Sequence, residues 1–167
     1  SGQRAERWNR HNNAKPPPPP SIPYVNSRLS TQLDVGTGGL IDFTTQFISN
    51  NISYRNGIFT IKTKGTYNVN FSVYLLNMDF PIASLAVNYT INGVSKTFNV
   101  SVKGIDQGTT GTAHSMVLPC SFATEFYAGD TISIKNITPN TLVLMGSYAS
   151  DFGDPTESIS SIISINN

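Results

Sequence analysis

Between Thr66 and Leu76 apolar and polar residues alternate without a break. Tyr67, Val69, Phe71, Val73 and Leu75 fall on one side of an extended chain, and Asn68, Asn70, Ser72 and Tyr74 on the other. A period of two with β-branched and aromatic residues on the apolar side predicts a strand. One face of it is core. The other is polar yet uncharged, and charge depletion is what distinguishes a face that meets protein from one that meets water. Packing of this row against another subunit is therefore expected.

The same pattern recurs along the chain. Gly57 to Lys62 reads as the preceding strand, with Gly65 at the reversal. Further strands are expected near 24–33, 40–50, 83–91, 97–102, 113–122, 130–136, 141–148 and 159–166. Asn92-Gly93 separates two of them and is the strongest short hairpin signal a sequence offers. Residues 104–111 read as a small-residue loop. No stretch with a 3.6-residue period appears, so helix should be close to absent. Ten short strands at near-regular spacing predict an all-β fold, a ten-stranded two-sheet sandwich or jelly roll.

Residues 1–23 follow different rules. Arg4, Arg7, Arg10 and Lys15 accompany a single Trp8, and the run Pro16, Pro17, Pro18, Pro19, Pro20 favours an extended polyproline II rod. Such a segment buries no core of its own. It is either a linker or an anchoring arm in which Trp8 and the prolines dock into a partner. Two regions are thus expected, a Pro-rich arm over 1–23 and a folded domain over 24–167.

Composition narrows the function classes. Of the 167 residues 13% are charged and the formal net charge is +1, so there is no broad field to gather nucleic acid or an anionic membrane. No apolar run of about 18 residues is present to span a bilayer. Ser1-Gly2 opens without a signal-type apolar run, so the compartment is not read directly. A single cysteine, Cys120, excludes an intrachain disulfide. Its plain reading is a partly buried thiol on a strand; a reactive thiol would need an electropositive neighbour.

Here the residues carry a resemblance. Gly57-Ile58-Phe59-Thr60 followed by Lys64-Gly65-Thr66-Tyr67-Asn68-Val69 is similar to the G-x-F-T and G-x-Y-x-F elements of the C1q/tumour-necrosis-factor superfamily. Phe126-Tyr127-Ala128-Gly129-Asp130-Thr131-Ile132-Ser133-Ile134 resembles its G-D-x-V-x-L strand, and Ser158 to Ile165 stands in the place of its closing strand. Val69 replaces the usual Phe, Ile61 the Cys common in vertebrate members, and the last strand lacks a Gly-Phe pair. In these departures the chain resembles the bacterial branch, such as the C-terminal heads of spore-surface collagen-like glycoproteins. The resemblance implies a C1q/TNF-type jelly roll and a homotrimer, which the uncharged row already suggested, and Asn68, Asn70, Ser72, Tyr74 and Tyr127 are the expected subunit interface. It implies a head outside the cell or on a cell or spore surface, joined through residues 1–33 to a stalk or filament protein and able to adhere to a cell-surface or glycan ligand. A receptor- or carbohydrate-binding knob of a phage or viral fibre is the alternative.

Catalytic patterns are missing. H-E-x-x-H, C-x-x-C and G-x-S-x-G do not occur, and His11 and His114 each stand alone. Gly36-Thr37-Gly38-Gly39 has no following helix to hold a pyrophosphate. A non-enzymatic protein without cofactor is expected. Asp151 and Asp154 flank Gly153 and are the one weak calcium candidate, with turn formation as the plainer role. Asp130 reads as a turn residue fixed by backbone hydrogen bonds at a strand entry. Sequons at Asn51, Asn70, Asn88, Asn99 and Asn136 are expected from an Asn-rich composition and carry no separate message.

Overall fold

The computed structural model describes Pro16 and residues 22–76, 81–103, 116–146 and 160–167. Among these residues there is no helix, and twelve strands build two antiparallel sheets. They are β1 (Tyr24–Arg28), β2 (Leu33–Val35), β3 (Thr45–Ile48), β4 (Ile52–Arg55), β5 (Ile58–Ile61), β6 (Gly65–Leu76), β7 (Ile82–Ile91), β8 (Val94–Lys103), β9 (Met116–Phe126), β10 (Thr131–Asn136), β11 (Leu142–Leu144) and β12 (Ile162–Asn166).

The first sheet is organised around β6. Along one edge β9 pairs with it continuously, from Gly65 opposite Phe126 to Leu75 opposite Met116. Its other edge is shared: β12 covers Asn68 to Ser72, and β11 covers Leu75 and Leu76. Outside β12 lie β1 and then β3, and outside β11 lies β2, making seven strands. The second sheet runs β4-β5-β10-β7-β8. Apolar residues of β6 project between the sheets as the alternation requires, with Tyr67, Val69, Phe71, Val73 and Leu75 all buried. They meet Phe59, Ile61, Leu85, Val87, Ile132 and Ile134 from the opposing sheet. Burying these side chains, at about 1.5–3 kcal/mol each, is the main force holding the layers together.

Each expected strand has a counterpart, but several boundaries move. The region 24–33 divides into β1 and β2, with buried Leu29 and exposed Ser30 and Thr31 between them. The region 40–50 reduces to β3, preceded by a single bridge from Leu40 to Lys135. Gly57 does not open β5. It closes an Asn56-Gly57 turn, with φ of 48° and 87°, between β5 and the unforeseen β4. Asn92-Gly93, with φ of 50° and 80°, makes the same kind of turn between β7 and β8 where it was expected.

Gly57 also sits hard against its neighbours. A Cβ added there would lie 2.9 Å from the Ile41 carbonyl oxygen, in a backbone conformation L side chains rarely adopt. Gly57→Ala is expected to cost about 1–3 kcal/mol. Thermal melting checks this, with Gly93→Ala as the comparison because a Cβ there meets nothing within 4 Å.

Two polar side chains tie the layers where backbone pairing stops. Asn136 is buried and donates to the carbonyls of Val35 and Asn140 at 2.9 and 3.0 Å, while its oxygen accepts from the Thr138 amide at 2.8 Å. The amide of this sequon is thus used internally. Asp130, 1% exposed, accepts from the Tyr127, Asn92 and Gly93 amides at 2.7, 2.9 and 3.0 Å and from the Thr90 hydroxyl at 2.9 Å. It therefore does more than shape its own turn, because it also holds the tip of the β7–β8 hairpin.

Burial alone would raise the Asp130 pKa; the three amides and the hydroxyl outweigh it and hold the carboxyl below its ordinary value. A depressed folded pKa gives stability that is present above the unfolded value of about 4 and is lost as pH falls through the folded one. Asp130→Asn should cost about 3 kcal/mol, since its NH2 group would oppose donors, lowering Tm by roughly 6–12 °C. Melting curves between pH 2 and 7 check this: the difference between wild type and variant should shrink in acid.

Candidate functional interface

The outward surface of the seven-stranded sheet carries the expected interface residues. Directly opposed residues share a face, so the registers place Asn68, Asn70, Ser72 and Tyr74 beside Ala123, Ser121, Pro119 and Val117 of β9. On the other side of β6, Asn166, Ser164 and Ile162 stand opposite Asn68, Asn70 and Ser72. Tyr24, Asn26 and Arg28 of β1 continue the same rows, with Phe47 of β3 beside Asn26. Four of the five expected interface residues are thus brought onto one face: Asn68, Asn70, Ser72 and Tyr74. Tyr127 stands apart, at the turn after β9, with the Lys64 ammonium 4.7 Å from its ring centre.

This surface is apolar in places, and its charged side chains are Arg28 on β1 with Glu125 and Asp34 nearer the margins. Tyr24, Phe47, Val117 and Ile162 are 47, 57, 42 and 46% exposed, large fractions for residues that would ordinarily be covered. Small side chains at its centre leave a concavity of about 460 Å³, lined by Asn70, Ser72, Pro119, Cys120, Ser121 and Ser164 among others. The Ser121 hydroxyl donates to the Asn70 side-chain oxygen at 2.5 Å, fixing the concavity's polar floor. Glu125 lies at the margin and pairs with Lys64 at 3.5 Å. On the outer surface of the other sheet Ser84, Asn88, Thr97, Asn99, Ser101, Thr131 and Ser133 are joined by Arg55, Lys103 and Lys135 and by the exposed Ile58 and Ile82.

A second exposed feature adjoins the first. Both β8 and β9 are edge strands, each paired on one side only. Their inward side chains close the flank of the sandwich without a ladder: Phe98 and Phe122 have ring centres 5.0 Å apart at 84°, and Tyr89 lies 5.5 Å from Phe122. Val100, Val102, Met116 and Phe122 remain only partly buried along this flank. Pro119 is tolerated within β9 because an edge strand has a side that needs no N–H. Cys120 on the same strand is half-buried, and burial pushes its thiol pKa up, away from reactive thiolate.

Other candidates resolve as follows. Trp8, Pro17, Pro18, Pro19, Pro20, Asp151, Asp154 and His114 lie outside the described residues, and Pro16 is exposed. Among the described residues no three His, Cys, Asp or Glu side chains gather in one place. No helix of those residues is long and apolar enough to cross a membrane. The flank of β8 and β9 was not anticipated, since it joins residues far apart in sequence.

No family model matches the chain, and neither does any curated protein sequence. Solved structures do match. Eiger TNF from S. frugiperda superposes with a TM-score of 0.63 at 13% identity over 87% of this chain and 90% of that one. The globular domain of zebrafish complement 1qA gives 0.61 at 12% identity, covering 86% and 94%. Murine APRIL at pH 5.0 gives 0.60 at 11% identity, covering 88% and 100%. With its two antiparallel sheets, the chain has the C1q/TNF-like jelly-roll fold.

Proposed function

We propose that this chain is a non-enzymatic homotrimeric head, displayed on the outside of a cell, spore or filament, that acts through assembly, adhesion or ligand binding. The partly apolar outer surface of the seven-stranded sheet, whose rows through Asn68, Asn70, Ser72 and Tyr74 hold one charged side chain among the described residues, Arg28, carries the reading. Open β8 and β9 edges supply a matching element: the partly buried aromatic flank of one copy fits the small-residue concavity of the next. Because face and flank are different surfaces, the contact is heterologous and closes into a ring, three copies being the number the fold resemblance implies. Residues 1–23 would then serve as the arm joining the head to a stalk or filament protein, with Trp8 and Pro16 to Pro20 as its docking elements.

Hydroxyl-radical footprinting at high and low protein concentration tests this. Tyr24, Phe47, Val117 and Ile162 should be protected in the concentrated sample and oxidised on dilution, while Ile58 and Ile82, on the outer face of the other sheet, should react equally in both. Equal labelling of all six at both concentrations would contradict the reading.

A carbohydrate-binding knob of a phage or viral fibre is the second reading. One observation favours it, a shallow groove of about 260 Å³ on the other sheet lined by Asn88, Thr90, Lys96, Thr97, Thr131 and Ser133. Hydroxyl, amide and ammonium groups suit a polyol. Glycan-array binding removed by Thr97→Val and Ser133→Ala would select it.

A further inference from the structure

We propose that the outer face of the five-stranded sheet binds a linear acidic polysaccharide, a polyuronate, with Arg55 and the Asn88 amide as its main contacts. The inference rests on the carbohydrate reading above and names the class of saccharide. Strands β4, β5, β10, β7 and β8 carry Arg55, Lys96, Lys103 and Lys135 and not one Asp or Glu. The strands of the other sheet hold a single cation, Arg28, and two acids, Asp34 and Glu125. A net charge of +1 over the whole chain thus hides a sheet that is basic throughout. Because assembly is assigned to the outer face of the seven-stranded sheet, this second face stays open to an anionic partner.

Pairing sets Arg55 opposite Ile58, and Asn88 opposite both Ser133 and Thr97. One position beyond the pair Ile132 and Phe59, Ser133 comes level with Ile58, so a single row crosses all five strands. Four strand spacings make it about 19 Å long, which suits a chain molecule better than a small anion. At one end stands the exposed Arg55, at the other the groove of about 260 Å³. Hydrogen bonds within the face decide what that groove offers. The Asn88 oxygen accepts from the Thr97 hydroxyl at 2.8 Å, which leaves its NH2 group to donate. The Thr90 hydroxyl is already used by Asp130 and the Thr131 amide. Free capacity is therefore weighted toward donors: the Asn88 amide, the Arg55 guanidinium and the Lys96 ammonium beside the groove. A ligand rich in acceptors fits, and a carboxylate meets an arginine fork through two parallel bonds. The row holds no aromatic ring on which the bases of a single-stranded nucleic acid could stack.

Titration calorimetry tests this on full-length wild type, Arg55→Gln and Lys64→Gln. The probes are an oligogalacturonate and its methyl ester, which keeps the hydroxyls and removes the charge. Wild type should bind the acid about tenfold or more tighter than the ester, and more weakly as salt rises. Arg55→Gln should lose about tenfold of that affinity with Tm unchanged. Lys64→Gln removes the same unit of charge beside Tyr127, away from this face, and should bind as wild type does. Equal losses in the two variants would mean that net charge alone is sensed and would overturn the inference, as would undiminished binding by Arg55→Gln. Equal affinity for acid and ester would also overturn it, while leaving the carbohydrate reading in place. A single-stranded oligonucleotide that displaces the acid at equal affinity would overturn the saccharide assignment. Should no sugar bind, in solution or on the glycan array, the carbohydrate reading itself fails and the inference with it.

Discussion

Removal of residues 160–167 is expected to abolish folding. Strand β12 lies between β1 and β6 and is hydrogen-bonded to both, from Tyr24 opposite Asn166 to Arg28 opposite Ile162 and from Asn68 opposite Asn166 to Ser72 opposite Ile162. Its loss would open two ladders and detach β1 and β3 from the sheet. Ile163 and Ile165, both fully buried, would leave a void beside Val69 and Phe71. Each large-to-small loss of this kind costs about 2–5 kcal/mol. Ser161 adds to the damage, since its hydroxyl donates to the Met145 carbonyl at 3.0 Å and accepts from the Tyr74 amide at 3.1 Å. The sum exceeds the roughly 5–15 kcal/mol by which domains are stable. Circular dichroism with thermal melting checks it, and a truncated chain that melts cooperatively would contradict the central placement of β12.

The second large effect concerns assembly. Tyr74→Lys is expected to dissociate the proposed trimer while sparing the protomer. Tyr74 stands on the outer face beside Val117, and its backbone makes internal hydrogen bonds, accepting from the Met145 amide at 2.9 Å and donating to the Ser161 hydroxyl at 3.1 Å. In a single copy the half-buried ring can be replaced by a side chain that reaches water. At an interface the same ammonium would be buried without a partner, at several kcal/mol per contact and three times over by symmetry. Sedimentation should show a monomer with a nearly unchanged protomer Tm. A variant that stays assembled with wild-type affinity would show that this surface is not the contact.

How much of this was readable before the fold was known depended on the range of each interaction. The β6 face was legible because its alternation is local and long, and the structure buries the five residues that the period places inward. The β4–β5 hairpin was equally legible but unread: Asn56-Gly57 carries the same signal as Asn92-Gly93, yet the four-residue strand before it is too short for its own period to stand out. Asp130 was legible only in its local half. Its bonds to Thr90, Asn92 and Gly93 span 37 to 40 residues of chain and follow from the packing of two turns against each other. Neither the concavity nor the β8–β9 flank has a sequence signature, since β6, β9 and β12 contribute to one and β7, β8 and β9 to the other.

The solution mass of the full chain, measured by light scattering across a dilution series, bears most directly on the proposed assembly. A protomer of 18.1 kDa should give three times that mass, about 54 kDa, at micromolar concentration and above. A mass of 18.1 kDa at every concentration would contradict the trimer and, with it, the assignment of the seven-stranded sheet's outer face as the surface on which this protein acts.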